Sequence, residues 1–202
     1  FARSKPIIVI KPGRYAESAK AAQSHTGAMV GVDLYYNAAL DRAGTIRVEE
    51  IEDLFNAASI LDSAKLPKRP NVAIVTNAGG PAVLATDALI ERKGKLSNLN
   101  KESVDKLNEI LPAFWSHSNP IDILGDATSQ RYDRTINTIL LDENVDSVIV
   151  LLTPQAVTEV EKTASTIAEI YQKYPFKPIV ATFIGGEIIQ PGVDILNYSQ
   201  MP

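Results

Sequence analysis

Val72-Ala73-Ile74-Val75-Thr76-Asn77-Ala78-Gly79-Gly80-Pro81 is the stretch that decides how this chain folds. Val72 to Thr76 is a short apolar run rich in β-branched residues, which reads as a strand. Asn77 to Pro81 reads as a turn. Its glycines let the backbone approach a ligand closely, and Pro81 suits a first helical turn, where its missing N–H costs nothing. Residues 82–92 read as a helix ended by Gly94.

The pattern repeats on both sides. Downstream, helices over 101–111, 128–141 and 157–171 alternate with strands over 120–124, 145–152 and 177–184, and Thr153-Pro154-Gln155 forms another turn. Upstream, a strand over 5–10 leaves through Lys11-Pro12-Gly13-Arg14 into an alanine-rich helix over 15–22. A small-residue loop follows, then a helix over 30–43 closed by Gly44, a strand over 45–48, and an amphipathic helix over 49–64. In that last helix Ile51, Leu54, Phe55, Ala58 and Leu61 share one face. The proline-flanked Leu66-Pro67-Lys68-Arg69-Pro70 reads as a linker and divides the chain into domains over 1–66 and 67–202. Alternation of this kind specifies an α/β fold with mostly parallel sheets and helices on both faces.

Composition removes several classes of function. At 45% hydrophobic and 22% charged the chain is globular and able to bury a core. It has no cysteine, so disulfides, thiolate metal sites and cysteine nucleophiles are excluded. A formal charge of −4 with scattered basic residues argues against a nucleic-acid partner. The longest apolar run, around Val148-Ile149-Val150-Leu151-Leu152, is strand-sized and far below the roughly 18 residues of a membrane span. With no signal peptide, cytoplasm is the default compartment.

Ligands of an open parallel sheet gather at the carboxyl ends of its strands, where helix N-termini offer free N–H groups and partial positive charge. Three turns qualify: Lys11 to Arg14, Asn77 to Pro81, and Thr153 to Gln155. Each either cradles a phosphate or simply makes a tight βα turn. No Walker loop and no Gly-x-Gly-x-x-Gly accompanies them, so a phosphorylated side chain suits them better than a nucleoside triphosphate.

His25 lies in Gln23-Ser24-His25-Thr26-Gly27-Ala28-Met29-Val30-Gly31, a small-residue loop ahead of a helix. Its imidazole is a competent nucleophile near neutral pH, and a merely polar role fits the spacing equally well. No metal-ligand spacing surrounds it. His117 sits in a polar connection and reads as structural or solvent-facing. Asp122 and Asp126, at the end of the strand over 120–124, either orient a donor or, for Asp126, cap the next helix. Lys5-Pro6-Ile7-Ile8-Val9 is echoed by Lys177-Pro178-Ile179-Val180. The echo predicts that the first unit has lost its opening strands and that the second stops where a further strand is due.

Four segments carry a family resemblance: Lys5-Pro6 through Gly13-Arg14; Ala22-Gln23-Ser24-His25-Thr26-Gly27-Ala28; Thr76-Asn77-Ala78-Gly79-Gly80-Pro81; and Asn119-Pro120-Ile121-Asp122-Ile123-Leu124-Gly125-Asp126-Ala127. Together they resemble the NDP-forming acyl-CoA synthetases, which include ADP-forming acetyl-CoA synthetase and are related to succinyl-CoA synthetase. The resemblance implies two flavodoxin-like domains, the first and the second both incomplete. It implies a ligase that interconverts acyl-CoA, ADP and phosphate with free acid, CoA and ATP. The family's phosphohistidine falls on His25. Its phosphate cradles fall on Asn77, Ala78, Gly79 and Gly80 and, more loosely, on Thr153 and Gln155. The parent enzyme would use CoA, ATP or ADP, and magnesium. The CoA-binding domain, the ATP-grasp domain or subunit and a glutamate that holds the histidine would lie outside this chain, so the segment by itself is expected to bind no cofactor and to be inactive. Similar ligase-like regions fused to protein acetyltransferases make a regulatory module the alternative reading. A flavin site would need an aromatic pair flanking a phosphate loop, and none is evident.

Overall fold

A computed structural model of the protein describes residues 5–26, 32–62 and 66–202. The chain divides into two compact units, Phe1–Ala64 and Lys65–Pro202. In the first, strand β1 (Ile8–Ile10) runs parallel to β2 (Ile46–Val48), with Ile8 opposite Ile46 and Ile10 opposite Val48. Helices α1 (Ala16–Thr26), α2 (Asp33–Ala43) and α3 (Ile51–Asp62) accompany them. Gly44 closes α2 in the left-handed conformation, φ 71°, and returns its N–H to the Asp41 carbonyl, as the sequence predicts for a helix stop. The expected ends at Val30, Gly31 and 63–64 lie outside the described residues.

Helix α1 corrects the sequence reading. The small-residue loop was expected to begin at Gln23, yet the helix continues through Thr26 and holds His25 in its last turn. Gln23, Ser24, His25 and Thr26 include no helix breaker; the first is Gly27. Ser24 turns its hydroxyl back onto the Lys20 carbonyl, 3.0 Å away, so it does not compete with the helix for backbone groups. The segment from Gly27 to Gly31 lies outside the described residues.

The second unit is built on β3 (Asn71–Thr76), the strand of the quoted stretch. Helix α4 (Gly79–Glu91), β4 (Lys95–Leu96), α5 (Lys101–Ile110), β5 (Ile121–Asp122), α6 (Ser129–Leu141), β6 (Ser147–Leu152), α7 (Val160–Lys173) and β7 (Ile179–Phe183) follow, then a 3₁₀ turn (Gly186–Ile189) and α8 (Gln190–Tyr198). Every strand pairing is parallel, in the order β4-β3-β6-β7, with β5 sharing the β4 edge of β3. Alternate residues of β3 serve opposite faces. Ala73 and Val75 join the main core with Leu107 of α5, Ile136 and Ile139 of α6, Ile167 of α7 and Leu196 of α8. Val72 and Ile74 meet Leu151 beneath Ala85 and Leu89 of α4.

Two elements were not foreseen. Strand β4 is two residues long and too short for a periodic signal. Helix α8 hides behind Pro191-Gly192, which reads as a breaker. Pro191 instead sits in the first turn, where it needs no donor, and Gly192 is buried because a Cβ there would come within 2.9 Å of both Val160 and Phe183. Helix α4 also begins earlier than its sequence predicts, so Gly79, Gly80 and Pro81 form its first turn and only Asn77 and Ala78 connect it to β3.

On one edge of β3, β4 pairs with residues 71–72 and β5 with residues 75–76, which leaves the middle of the strand without a neighbouring backbone. The Asn119 side chain fills the gap. Its Oδ1 accepts from the Ile74 N–H at 2.9 Å, and its Nδ2 donates to the Val72 carbonyl at 2.8 Å and the Ser97 carbonyl at 3.1 Å. Asn119→Ala strands a backbone N–H on a fully buried residue and should destabilise the second unit by about 1–3 kcal/mol, read from the shift of its urea midpoint at unchanged slope.

Candidate functional site

A parallel sheet delivers every strand to the same edge, and in the second unit the segments leaving β3, β5, β6 and β7 meet there. Asn77, 2% exposed, is the tie between the first and third of them. Its Oδ1 accepts from the Thr153 N–H at 2.9 Å while its Nδ2 donates to the Thr153 carbonyl at 2.8 Å. The Oδ1 also lies 3.3 Å from the Thr153 hydroxyl, so three hydrogen bonds of the amide go to Thr153. Asn77 is therefore a brace for the Thr153 loop, and its side chain is committed to protein. Beneath it the phenol of Tyr132, on α6, donates to the Leu151 carbonyl at 2.9 Å, and burial pushes that phenol far above its ordinary range so that it stays a donor.

Around this brace the other segments close in. Gly125 lies against the Gln155 side chain, where a Cβ would be 3.7 Å from Cγ, and 3.9 Å from the Asn77 carbonyl. Gln155 Nε2 donates to the Thr153 hydroxyl at 3.3 Å, and its N–H donates to the Thr158 hydroxyl at 2.8 Å. Pro154 packs on Gly185, which tolerates no Cβ because one would sit 2.5 Å from the proline ring. Helix α7 begins only at Val160, so Thr153 and Gln155 belong to a loop and not to a helix N-terminus, as the sequence reading had implied.

Two helix ends at this edge differ in what fills them. At α6 the expected cap, Asp126, instead pairs with Arg131 at 2.5 Å. The end is taken by Glu159, whose Oε2 accepts from the Ser129 N–H at 3.1 Å and hydroxyl at 2.8 Å. A hydrogen bond from Lys162, then the two from Ser129, hold the Glu159 carboxyl down at about 2. At α4, by contrast, Ala78 precedes the helix and no side chain caps it. The N–H groups of its first turn have no partner within the helix, and Gly79 and Gly80 are exposed. The Asp122 carboxylate comes near: Oδ1 accepts from Leu124 N–H at 2.9 Å, and Oδ2 would make a tight 3.3 Å contact with a Cβ on Gly79. The Ala78 N–H is already bound to the Thr76 hydroxyl at 3.0 Å.

Of the residues singled out in the sequence, Asn77, Ala78, Gly79, Gly80, Thr153 and Gln155 are thus brought to one edge. His25 belongs to the other unit, in the last turn of α1. His117 is exposed and structural: Nδ1 lies 2.9 Å from Asn108 Oδ1, Nε2 lies 3.0 Å from the Ala113 carbonyl, and the ring packs at 4.9 Å on Trp115. Sequence reasoning missed Glu159, Asn119 and Gly125. Glu159 acts on a helix that starts thirty residues earlier, so no local spacing marks it. Among the described residues no group of three or more His, Cys, Asp or Glu gathers to hold a metal ion. No helix among them is long and apolar enough to cross a membrane.

Comparison with known proteins gives a consistent assignment. Residues 1–61 match the succinyl-CoA ligase like flavodoxin domain and residues 72–200 the ligase-CoA domain. The chain is 41% identical over 201 residues to acetate–CoA ligase [ADP-forming] I of Archaeoglobus fulgidus, covering 100% of this chain and 28% of that protein. It is 40% identical over 181 residues to 4-hydroxybutyrate–CoA ligase [ADP-forming] of Nitrosopumilus maritimus, covering 90% and 26%. In structure it superposes with a TM-score of 0.90 and 31% identity on the dinucleotide forming acetyl-coenzyme A synthetase 1 of Ca. Korarchaeum cryptofilum, solved with phosphate and ADP, over 98% of this chain and 43% of that one. The chain therefore spans between about a quarter and under a half of these relatives.

Because its hydrogen bonds favour the ionised form, the Glu159 carboxyl titrates lower in the fold than in the unfolded chain, and its charge stabilises the native state. That contribution is present above its ordinary value of 4.5 and is lost as pH falls toward about 2. Glu159→Gln should flatten the fall of thermal stability between pH 5 and 2 relative to the parent, measured by circular dichroism at fixed ionic strength.

Proposed function

The chain belongs to the NDP-forming acyl-CoA synthetase family, and from that membership we propose that it supplies the histidine-bearing segment and the second ligase-like domain of an ADP-forming acyl-CoA synthetase. Residues 1–66 are the C-terminal part of the histidine-bearing domain, and residues 67–202 form the second ligase-like domain. The reaction interconverts acyl-CoA, ADP and phosphate with acid, CoA and ATP. Phosphate displaces CoA from the acyl group, and the resulting acyl phosphate passes its phosphoryl group to an imidazole nitrogen of His25, releasing the carboxylate. The phosphohistidine then hands the group to ADP.

In this reading the N–H groups of Gly79 and Gly80 in the uncapped first turn of α4 receive phosphoryl oxygens in the second unit, while the preceding Ala78, its N–H held by Thr76, shapes the turn. Thr153 and Gln155 border the same edge, and Asn77 holds their loop in place. The observation that carries the proposal is the run Ser24-His25-Thr26-Gly27-Ala28 on a chain whose entire length aligns with ADP-forming CoA ligases. The acyl-CoA, CoA, nucleotide and magnesium sites belong to a CoA-binding domain and an ATP-grasp domain or subunit of the parent, which works in the cytoplasm. Relatives named for acetate and for 4-hydroxybutyrate resemble this chain almost equally, which supports placing the choice of acid outside these residues.

Phosphoryl transfer in the intact protein tests the assignment. Incubation with γ-labelled ATP should leave an acid-labile, base-stable adduct that is absent from His25→Asn; label retained by that variant overturns the role of His25. Calorimetric titration of residues 1–202 with CoA and with ADP should give no binding heat, and measurable affinity for either would move that site into this chain.

A further inference from the structure

In unit 1, as far as this chain spans it, helices α2 and α3 contain no fully buried residue, and Leu40, Leu54 and Leu61 are half-buried. What ties α2 down is a chain of charged groups at the carboxyl end of β1 and β2. Asp33, the first residue of α2, places Oδ1 2.7 Å from Arg47 Nη2 on β2 and Oδ2 4.0 Å from Arg14 Nε. Arg47 also donates to Asn37 Oδ1 at 3.2 Å, one turn further along α2, and Arg14 pairs with Glu49 at 2.7 Å.

This is not an ordinary surface pair. The side chains of Arg47 and Asp33 are only 13% and 23% exposed, so their attraction is less screened than that of solvated ions. The hydrogen bond from Arg47 keeps the Asp33 carboxyl below its usual range, and the negative charge suits the N-terminus of α2. The placement matters for function. Arg14 stands just ahead of α1, whose last turn holds His25, and Asp33 opens the next helix. One carboxylate thus links the entry of the helix that carries His25 and the start of the helix that follows it to strand β2.

We propose that Asp33, acting through Arg47 and Arg14, is a positioning residue for phosphoryl transfer at His25. The proposal rests on the reading of His25 as the phosphoryl carrier. Group transfer is steep in geometry, and displacing a reacting group by about 1 Å can cost on the order of a hundredfold in rate.

The test uses the intact protein with Asp33→Asn, Arg47→Gln, the double variant, Asp33→Glu and His25→Asn. Its readouts are the single-turnover rate of histidine phosphorylation at saturating γ-labelled ATP, the KM for nucleotide, and the thermal midpoint. Asp33→Asn and Arg47→Gln should each slow phosphorylation about tenfold or more with KM for nucleotide unchanged. The double variant should be no slower than either single one, and Asp33→Glu should recover part of the rate. Parent-like rates in both single variants overturn the inference. So does a slowing that tracks lost thermal stability and raised KM and adds up in the double variant, since that is a purely structural effect. Should Asp33→Asn fail to fold, Arg14→Gln at the more exposed end of the network gives the same reading. An adduct that persists in His25→Asn overturns the carrier role itself; an adduct lost in His25→Asn while Asp33→Asn reacts at the parent rate overturns only the positioning role.

Discussion

Strand β3 is enclosed on both faces, and a strand so placed must pair every backbone N–H and C=O or lose on the order of 1–3 kcal/mol for each group left alone. On one side β6 pairs with it from Val72 to Thr76. On the other, β4 and β5 reach only its two ends. The Asn119 amide supplies the missing rung, accepting and donating as a peptide group would. The sheet of the second unit depends on that substitution, because without it two short strands could not share one edge of a dry central strand.

The same device recurs where the sheet meets solvent. Asn77 repeats the peptide-like exchange, this time with Thr153, and so converts two loops leaving neighbouring strands into one rigid ledge. Gly125 and Gly185 let the remaining segments approach, the first against Gln155 and the second against Pro154. The ledge carries two helix ends with opposite fates. The α6 end is occupied by the carboxylate of Glu159, and the α4 end is left with exposed glycines and no cap. A helix end already holding an anion from its own chain has little to offer a second one, whereas the first turn of α4 is uncapped, with the Asp122 carboxylate beside Gly79.

The first unit solves a different problem with different means. Its described sheet is two short parallel strands, and its helices α2 and α3 bury no residue fully. Charged groups take over there: Asp33, Arg47, Arg14 and Glu49 connect a strand, a helix start and two turns. Specific charge pairs are weaker than a core, but they fix direction.

The sequence by itself determined the alternation of strands and helices, the parallel sheet, and the run around His25 that points to the synthetase family. These follow from local patterns: apolar runs of strand length, helical spacing, glycine stops and a short motif. It also placed Asn77 to Gly80 at the carboxyl end of β3. Tertiary structure alone decided that Gly79 to Pro81 are helix, that His25 stands in the last turn of α1, that Asn77 braces the Thr153 loop, that Glu159 and not Asp126 fills the end of α6, and that Asn119 completes β3. The physical reason is common to most of these. A hydrogen bond between residues thirty to seventy positions apart leaves no periodic trace in sequence, because its partners are chosen by which backbone groups the folded sheet leaves unpaired.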